Sequence, residues 1–418
     1  MANNKRSKAS QAARRAVQNN PKAVIIAVVA VVLVIAIAFC VLYFGFPKTW
    51  DSIMASIRGD SDAPPINDAS LQLPANGLTF ENDDLSIHML NVGQGDCILI
   101  LFPDGKDMLI DCANYNNTTA IQQKTFAYLE KYVPDKQFDY VMLTHCDSDH
   151  VYFLDEILDE YQVDNLYMPN VLAAPEGKSD TYTKLKQQVA NLDPQKLAMF
   201  TDDDTITTAS YAEFFCAALT EPNCNITLNV DPDEDTNSIV ITDEANELYE
   251  LRFYCPTQDY YDSTGFKNGK YNGTSYKEAE YKNAISPIGI LSYNGYKVVL
   301  TGDSNSINEP IFVNRIGGSL DCDILKVGHH GSETSSTDAF LDAIDCEYAF
   351  ISCNASGNNF NHPRQTTLDR FIARGIAIYR TDNNGNIVFV LDAEITVYVE
   401  TRVEQSTNQK GLPSPSKK

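Results

Sequence analysis

The sequence predicts an α/β domain, with helices packed on β-sheets, behind a single N-terminal transmembrane helix. Three observations support this. Strand-like and helix-like segments alternate between residues 84 and 401. Residues 23–46 form an unbroken run without charge. Five of the six histidines fall in short polar clusters that follow predicted strands. The first observation defines the fold class, the second an anchor, and the third a site at the strand ends.

The uncharged run is long enough to span a bilayer. Its 24 residues would form a helix of roughly 36 Å, against a hydrocarbon core of about 30 Å. The apolar part of a cleavable signal peptide is about 7 to 15 residues long and ends at small residues, whereas this run ends in aromatic residues (Tyr43, Phe44 and Phe46). We therefore predict an uncleaved anchor in the lipid bilayer.

Charge on the two sides of this run predicts the topology. Residues 1–22 contain six Lys and Arg and no acidic residue, which favours a cytoplasmic N-terminus and an extracellular catalytic domain, in a single-pass protein of the cell membrane. Residues 47–418 carry 26 Lys and Arg against 56 Asp and Glu, a formal charge of -30. A surface of this kind repels polyanions at long range, so it favours small or short anionic substrates over long nucleic acids.

The chain beyond the anchor divides into three parts. Residues 47–83, rich in Pro, Asp and Ser, predict an extracytoplasmic linker, residues 84–401 the folded domain, and residues 402–418 a loose tail. Within the domain, Asn294-Gly295 between two apolar runs predicts a hairpin. The strand and helix pattern weakens at about 160–280, which predicts an insertion near the site. Apolar runs predict strands over 85–90, 97–102, 108–110, 140–143, 288–292, 296–300, 323–327, 348–352, 376–380 and 387–399.

Histidine and aspartate follow several of these strands. One loop holds two imidazoles and two carboxylates within six residues, and further clusters lie at other strand ends. Taken singly, such a loop could cap a helix, and paired histidines could satisfy a buried turn. Because independent strand ends deliver the same nitrogen and oxygen ligands, we favour a site for Zn²⁺ or Mn²⁺. The candidates are His145, Asp147, Asp149, His150, Asp303, His329, His330 and His362.

The order of these clusters resembles the metallo-β-lactamase superfamily, and within it the soluble hydrolase domain of ComEC-type competence proteins. The resemblance covers residues 84–401 and implies a four-layer αββα sandwich. The motifs that carry it are Asn91-Val92-Gly93-Gln94-Gly95-Asp96, His145-Cys146-Asp147-Ser148-Asp149-His150, Gly302-Asp303 with Glu309, Lys326-Val327-Gly328-His329-His330-Gly331-Ser332, Asn359-Phe360-Asn361-His362-Pro363, and Arg380-Thr381-Asp382.

The resemblance also implies roles for individual residues. The metal ligands would be His145, Asp147, Asp149, His150, Asp303 and His329. They would hold one or two ions, with Asp303 bridging a pair and Asp149 orienting the nucleophilic water. Lys326, His330 and His362 are candidates for charge stabilisation or leaving-group protonation.

Two departures from the family pattern bear on this site. No histidine lies between His150 and Asp303, so the imidazole that many members supply to the first metal is missing. We therefore expect one metal to be weakly held, or only one to bind. The usual Gly-Gly after His150 is replaced by Tyr152-Phe153, which we expect to narrow the space over the metals.

Three functions fit these residues. The first is a phosphodiesterase or nuclease, for which Ser332, Ser335 and Ser336 could contact phosphate oxygens. The second is a hydrolase of a small ester, lactone or amide, because the same metal-activated water attacks acyl and phosphoryl groups. The third is a metal-binding receptor or adaptor without catalysis. The density of anion-binding groups after Val327 favours the first.

Overall fold

The computed structural model describes residues 70–80, 84–116, 118–169, 209–230, 240–243, 248–257, 260, 278–354 and 360–403, with isolated residues between 187 and 275. The predicted anchor at residues 23–46, the linker up to residue 69 and the tail after residue 403 lie outside this part. Among the helices of the described residues, none is both long and apolar enough to cross a membrane.

Eighteen strands are described: β1 (Leu71–Gln72), β2 (Leu85–Met89), β3 (Cys97–Leu101), β4 (Asp107–Cys112), β5 (Gln137–Met142), β6 (Gln162–Met168), β7 (Asn225–Leu228), β8 (Val240–Thr242), β9 (Tyr249–Cys255), β10 (Lys270–Tyr271), β11 (Thr274–Ser275), β12 (Ile288–Tyr293), β13 (Tyr296–Leu300), β14 (Ile324–Lys326), β15 (Tyr348–Ile351), β16 (Ala377–Arg380), β17 (Ile387–Leu391) and β18 (Ile395–Val399).

The described α-helices are α1 (Thr119–Tyr132), α2 (Ser148–Val151), α3 (Leu154–Glu160), α4 (Ala209–Thr220), α5 (Glu278–Asn283), α6 (Glu309–Ile316), α7 (Asp338–Ile344), α8 (Gln365–Ala373) and α9 (Thr381–Asn384). A 3₁₀ turn covers Gly328–Gly331.

The strands form two large sheets. The first has the order β1-β18-β17-β2-β3-β4-β5-β6-β7 and the second the order β16-β15-β14-β13-β12-β9-β8. Strands β4 to β7 run parallel, as do β13 to β16. Because parallel strands end at the same edge of a sheet, the loops after β5, β13, β14 and β15 are brought together at one edge of each sheet.

Side-chain alternation along the strands separates the core into three parts. Ile98 and Ile100 of β3 face the second sheet, where they pack with residues such as Leu291 and Phe350. Leu99 points to the opposite face and packs under helices α1, α3 and α4. A third cluster lies between the second sheet and helices α6, α7 and α8. The period of two along each strand therefore produces helix, sheet, sheet and helix layers, as predicted.

Most predicted elements are confirmed, with two differences. The apolar run 387–399 is not one strand but the hairpin β17–β18, which turns at Asp392. The stretch predicted as an insertion, about 160–280, contributes strands to both sheets, since β6 pairs with β5 and β9 pairs with β12. Its short strands lack a long apolar run, which is why the sequence pattern weakened there. The Asn294-Gly295 hairpin is confirmed, with both residues at positive φ (49° and 87°).

A buried carboxylate pair on β4 and β5 makes the stability of the domain depend on pH. The Asp107 carboxylate accepts from the Asp139 amide at 3.2 Å, and the Asp139 carboxylate accepts from the Asp107 amide at 3.1 Å. Burial, with repulsion from Asp139, raises the pKa of Asp107 to about 7. The folded state therefore retains a proton that the unfolded chain loses near pH 4. The free energy of unfolding thus falls as pH rises from about 4 to about 7.

We predict that Asp107→Asn flattens this profile. The amide keeps an acceptor oxygen but cannot ionise, so the melting temperature should rise by a few degrees at pH 8 and change little at pH 4. Thermal unfolding followed by circular dichroism across this range tests the prediction. Asp392→Asn, at an exposed turn position, is the matched control. Parallel pH profiles for Asp107→Asn and the unsubstituted protein would contradict it.

Candidate metal centre

Three loops at strand ends deliver the predicted ligands to one place. The loop after β5 carries His145 and Asp147 and runs into α2, which carries Asp149 and His150. Asp303 follows β13, and His329 and His330 follow β14. In the folded chain the side chains of His145, His150, Asp303 and His330 are all buried. The fold therefore brings residues from three distant motifs together at one place.

Asp303 lies between two groups of ligands. Its Oδ2 faces His145 Nε2 at 3.8 Å and His329 Nε2 at 3.7 Å. Asp147 lies on the same side, with its Oδ2 3.9 Å from His145 Nε2. These four residues form the first group, in which each side chain offers one nitrogen or oxygen atom.

The other oxygen of Asp303 faces the second group. His150 Nε2 lies 3.3 Å from Asp303 Oδ1, and His330 Nε2 lies 3.7 Å from the same atom. Asp149 completes this group, with its Oδ2 3.4 Å from His330 Nε2. Asp303 therefore has one oxygen directed to each group, which is the arrangement that a carboxylate bridging two cations requires.

The tautomers of the buried imidazoles fit metal binding. His150 Nδ1 contacts Asp111 Oδ2 at 2.7 Å, and His330 Nδ1 donates to the Ser352 carbonyl at 3.0 Å. His145 Nδ1 lies 3.1 Å from Thr144 Oγ1. In all three rings Nε2 is buried and has no hydrogen-bond partner among the described residues. Since buried polar atoms are normally satisfied, these converging lone pairs fit one or two divalent cations.

Asp111 fixes the orientation of His150, a member of the second group, through a contact with its Nδ1 atom. Its carboxylate accepts from the amide and the hydroxyl of Thr144, both at 2.7 Å, besides contacting His150. One buried side chain thus fixes both the loop after β5 and the orientation of an imidazole. Asp111 is a site residue that was not predicted from the sequence, and its position directly after a predicted strand is the signal that could have identified it.

Unusual backbone conformations direct the two adjacent histidines to opposite groups. His329 (φ 46°, ψ 50°) and His330 (φ 50°, ψ 23°) are both in the left-handed region, which is uncommon outside glycine. The consequence is that His329 approaches Asp303 Oδ2 while His330 approaches Oδ1. His330, predicted to act in catalysis, therefore sits among the ligands as firmly as His329.

Asn283, at the end of α5, is a site residue that the sequence did not predict. Its amide lies between the first group's residues: the oxygen accepts from His329 at 3.1 Å, and the nitrogen donates to Asp147 Oδ2 at 3.3 Å. His329 thus lies on the Oδ2 side of Asp303, and Asn283 links it to Asp147. No motif could have identified Asn283, because it comes from the weakly patterned stretch before β12.

Lys326 occupies a different place from the one predicted. It is fully buried, and its Nζ lies 2.7 Å from Asp96 Oδ2 and donates to the Val327 carbonyl at 2.9 Å. Asp96 in turn lies 3.4 Å from His330 Nδ1, and Asp96, His330 and Asp303 together form a group that could hold a cation. A direct contact from Lys326 to substrate, as the sequence suggested, is incompatible with this burial. The lysine instead compensates the charge of Asp96.

The remaining predicted contributors, and the one histidine outside the predicted clusters, lie in different places. His362 lies at the site, with its ring centroid 5.0 Å from that of His329. All three serines are buried, and Ser335 Oγ donates to the Gly328 carbonyl. Phe153 is in the hydrophobic core under α3 and so does not narrow the space over the ligands. His88 is remote, since its ring contacts Ser86 and Tyr128.

Burial and neighbouring charges shift the pKa values of the imidazoles in different directions. Burial, with repulsion from His150, lowers the pKa of His145 far below its usual range. Burial has the same effect on the pKa of His150, but Asp303 and Asp111 outweigh it and raise that pKa well above its usual value. The pKa of Asp303 is held low by His330 and His150 in spite of its burial. The site thus concentrates negative charge where a cation would bind.

Comparisons with known proteins agree with this architecture. Residues 90–243 match the family model described as the metallo-beta-lactamase superfamily. This match and the motifs on both sheets confirm the predicted resemblance to that superfamily.

Within the superfamily the chain resembles competence proteins. It is 38% identical to competence protein ComA of Neisseria gonorrhoeae over 97 residues, 23% of this chain and 14% of that protein. It is 33% identical to ComE operon protein 3 of Bacillus subtilis over 108 residues, 26% of this chain and 14% of that protein. The chain thus spans a small part of the length of these relatives.

A solved structure shows a weaker likeness. The metallo-beta-lactamase fold protein YhfI of Bacillus subtilis is 12% identical, with a TM-score of 0.36, covering 73% of this chain and 100% of that chain. At this level of likeness the structure of YhfI gives no information about the activity of this protein.

We predict that Asp303→Ala lowers the metal content of both ligand groups, whereas His330→Ala affects the second group alone. Asp111→Asn should weaken metal affinity by about 10- to 100-fold, because His150 loses its orienting carboxylate. Elemental analysis after equilibrium dialysis against Zn²⁺ or Mn²⁺ measures these effects. His362→Ala is the control, since it removes an imidazole next to the ligands but outside both groups. Unchanged metal content in Asp303→Ala would disprove the ligand assignment.

Proposed function

We propose that the protein is a metal-dependent hydrolase of phosphodiesters, using one or two Zn²⁺ or Mn²⁺ ions. The observation that carries the proposal is the position of Asp303 between two ligand groups, with buried Nε2 atoms directed toward it. Two cations held at a shared carboxylate are typical of enzymes that displace groups at phosphorus. When bound, such ions would lower the pKa of a water molecule and polarise the phosphoryl oxygen.

The chain's own residues have distinct tasks in this reaction. Asp149, on the second group, is ionised, because the proximity of the His330 and His150 imidazoles outweighs burial and lowers its pKa. Its carboxylate can accept a proton from the attacking water and orient that water. His362 is neutral at pH 7, since burial and the nearby His329 lower its pKa to about 3. It therefore suits hydrogen-bond donation to a substrate oxygen better than proton transfer.

We assign to two cationic side chains the charge stabilisation that was predicted for Lys326. Lys282, next to Asn283, is close enough to Asp147 to oppose the rise of its pKa. Arg364 follows the His362-Pro363 segment and lowers the pKa of His362. Its Nε is buried and has no hydrogen-bond partner among the described residues. A guanidinium in this position can contact a phosphate oxygen, which favours an anionic diester over a neutral ester.

The surface charge restricts the size of the substrate. Residues after the predicted anchor carry a formal charge of -30. This field slows the approach of a long polyanion but hardly affects a small, singly charged diester. Short or cyclic phosphodiesters are therefore the proposed substrates, and a nuclease acting on long nucleic acid is the less favoured form of the same activity.

We further propose that residues 23–46 anchor the enzyme in the cell membrane, with the catalytic domain outside. The support is the length of the uncharged run and the six basic residues before it.

We predict that Arg364→Ala impairs hydrolysis of bis-p-nitrophenyl phosphate about tenfold more than hydrolysis of p-nitrophenyl acetate, because only the diester loses a charge-assisted contact. Steady-state kinetics of the metal-loaded protein measure both reactions. Arg374→Ala is the control: it removes the same charge at the other end of α8, where Arg374 pairs with Asp338 and Asp342. Ester hydrolysis without any diester hydrolysis would refute the proposed function.

The proposed membrane topology can be tested by protease accessibility. Protease added to intact cells should degrade the folded domain and leave the N-terminal segment protected, because the positive-inside bias holds residues 1–22 in the cytoplasm. An epitope tag at each end, detected by immunoblotting, reports which side is accessible. Cleavage of the N-terminal tag alone would show that the proposed orientation is inverted.

A further inference from the structure

Beside the metal centre, two aromatic side chains remain exposed although they contact each other. Tyr115 and Phe360 are 43% and 40% exposed. Their ring centroids are 5.2 Å apart, with the rings perpendicular. Exposed large apolar side chains are few among the described residues, so a contacting pair of them marks a surface that binds something.

This aromatic pair is continuous with the ligand groups. The Phe360 ring lies 6.1 Å from that of His362, which lies 5.0 Å from that of His329. On the other side, the Tyr115 amide donates to the Gln94 carbonyl at 2.7 Å, two residues before Asp96. The pair therefore joins the loop after β4 to the loop after β15, at a short distance from Asp303.

The neighbouring charge indicates what kind of molecule fits here. Arg364 lies two residues after His362, and its amide donates to the Gly331 carbonyl at 2.8 Å, so a cationic residue lies next to the turn that carries His329 and His330. A molecule that satisfies both features has a flat π-system linked to an anionic phosphate. Stacking of a base on an aromatic side chain needs only the π-face and so tolerates different bases.

We propose that Tyr115 and Phe360 form a stacking subsite for the nucleobase of a nucleotide phosphodiester, with the phosphate directed to the ligand groups. The proposal rests on the proposed phosphodiesterase function and adds a substrate class to it. The pair determines specificity through binding and takes no part in the chemistry.

The test compares two substrates with the same leaving group: thymidine 5′-p-nitrophenyl phosphate, which carries a base, and methyl p-nitrophenyl phosphate, which does not. Phe360→Leu, which keeps an apolar side chain without a ring, should raise KM for the thymidine ester about 5- to 100-fold, the range expected for one stacked base. The value of kcat, and both constants for the methyl ester, should stay within about twofold.

Matched variants separate stacking from general damage. Phe360→Tyr retains a ring and should restore KM, and Tyr115→Leu should resemble Phe360→Leu. Leu71→Ala, at a 46% exposed apolar position on β1, should change nothing. Equal losses on both esters, or an unchanged KM for the thymidine ester in Phe360→Leu, would overturn the subsite.

A binding measurement distinguishes failure of the subsite from failure of the proposed function. Isothermal titration calorimetry compares thymidine 5′-monophosphate with inorganic phosphate on the metal-loaded protein. Tighter binding of the nucleotide that is lost in Phe360→Leu supports the subsite even if neither ester is hydrolysed, a result that would refute only the diesterase activity. Equal affinity for the two ligands in the unsubstituted protein would refute the subsite alone.

Discussion

The arrangement of the site depends on the contacts that the Asp303 carboxylate makes. It is almost fully buried, and its two oxygens face four imidazoles that come from two separate loops. An ionised carboxylate is costly in such surroundings unless positive charge or donors surround it. The histidines partly supply that compensation, and cations between the groups would complete it. The two sheets contribute by ending their strands at this point.

A second layer of charge explains why the ligands hold their orientation. Asp111 contacts His150 Nδ1, and Asp96 contacts His330 Nδ1. Each carboxylate has a further partner, which is Thr144 for Asp111 and Lys326 for Asp96. A buried ion pair contributes little net stability, but losing one partner leaves an isolated charge. Lys326 therefore stabilises the buried framework of the site, and our proposals assign substrate recognition to Arg364 and the aromatic pair.

Sequence and site together point to an enzyme whose surface and centre have opposite preferences. In the proposed function, the acidic exterior repels polyanions, whereas the ligand groups and Arg364 bind a phosphate. Small or short anionic substrates satisfy both conditions. The relatives named for competence match this chain over a segment that is 14% of their length.

The family resemblance implied the four-layer order, whereas the sequence by itself determined most of the strands, the hairpin at Asn294-Gly295 and the residues that converge around Asp303. These follow from periods of two and 3.6, from turn chemistry and from short motifs, all of which are local in the chain. It did not determine that Lys326 is buried against Asp96, that His330 lies among the ligands, or that Asn283 reaches Asp147. Those features depend on contacts between residues far apart in sequence and on the backbone conformation of His329 and His330. Only tertiary packing decides them, because a side chain's partner is set by which loops meet, and no local pattern encodes that meeting.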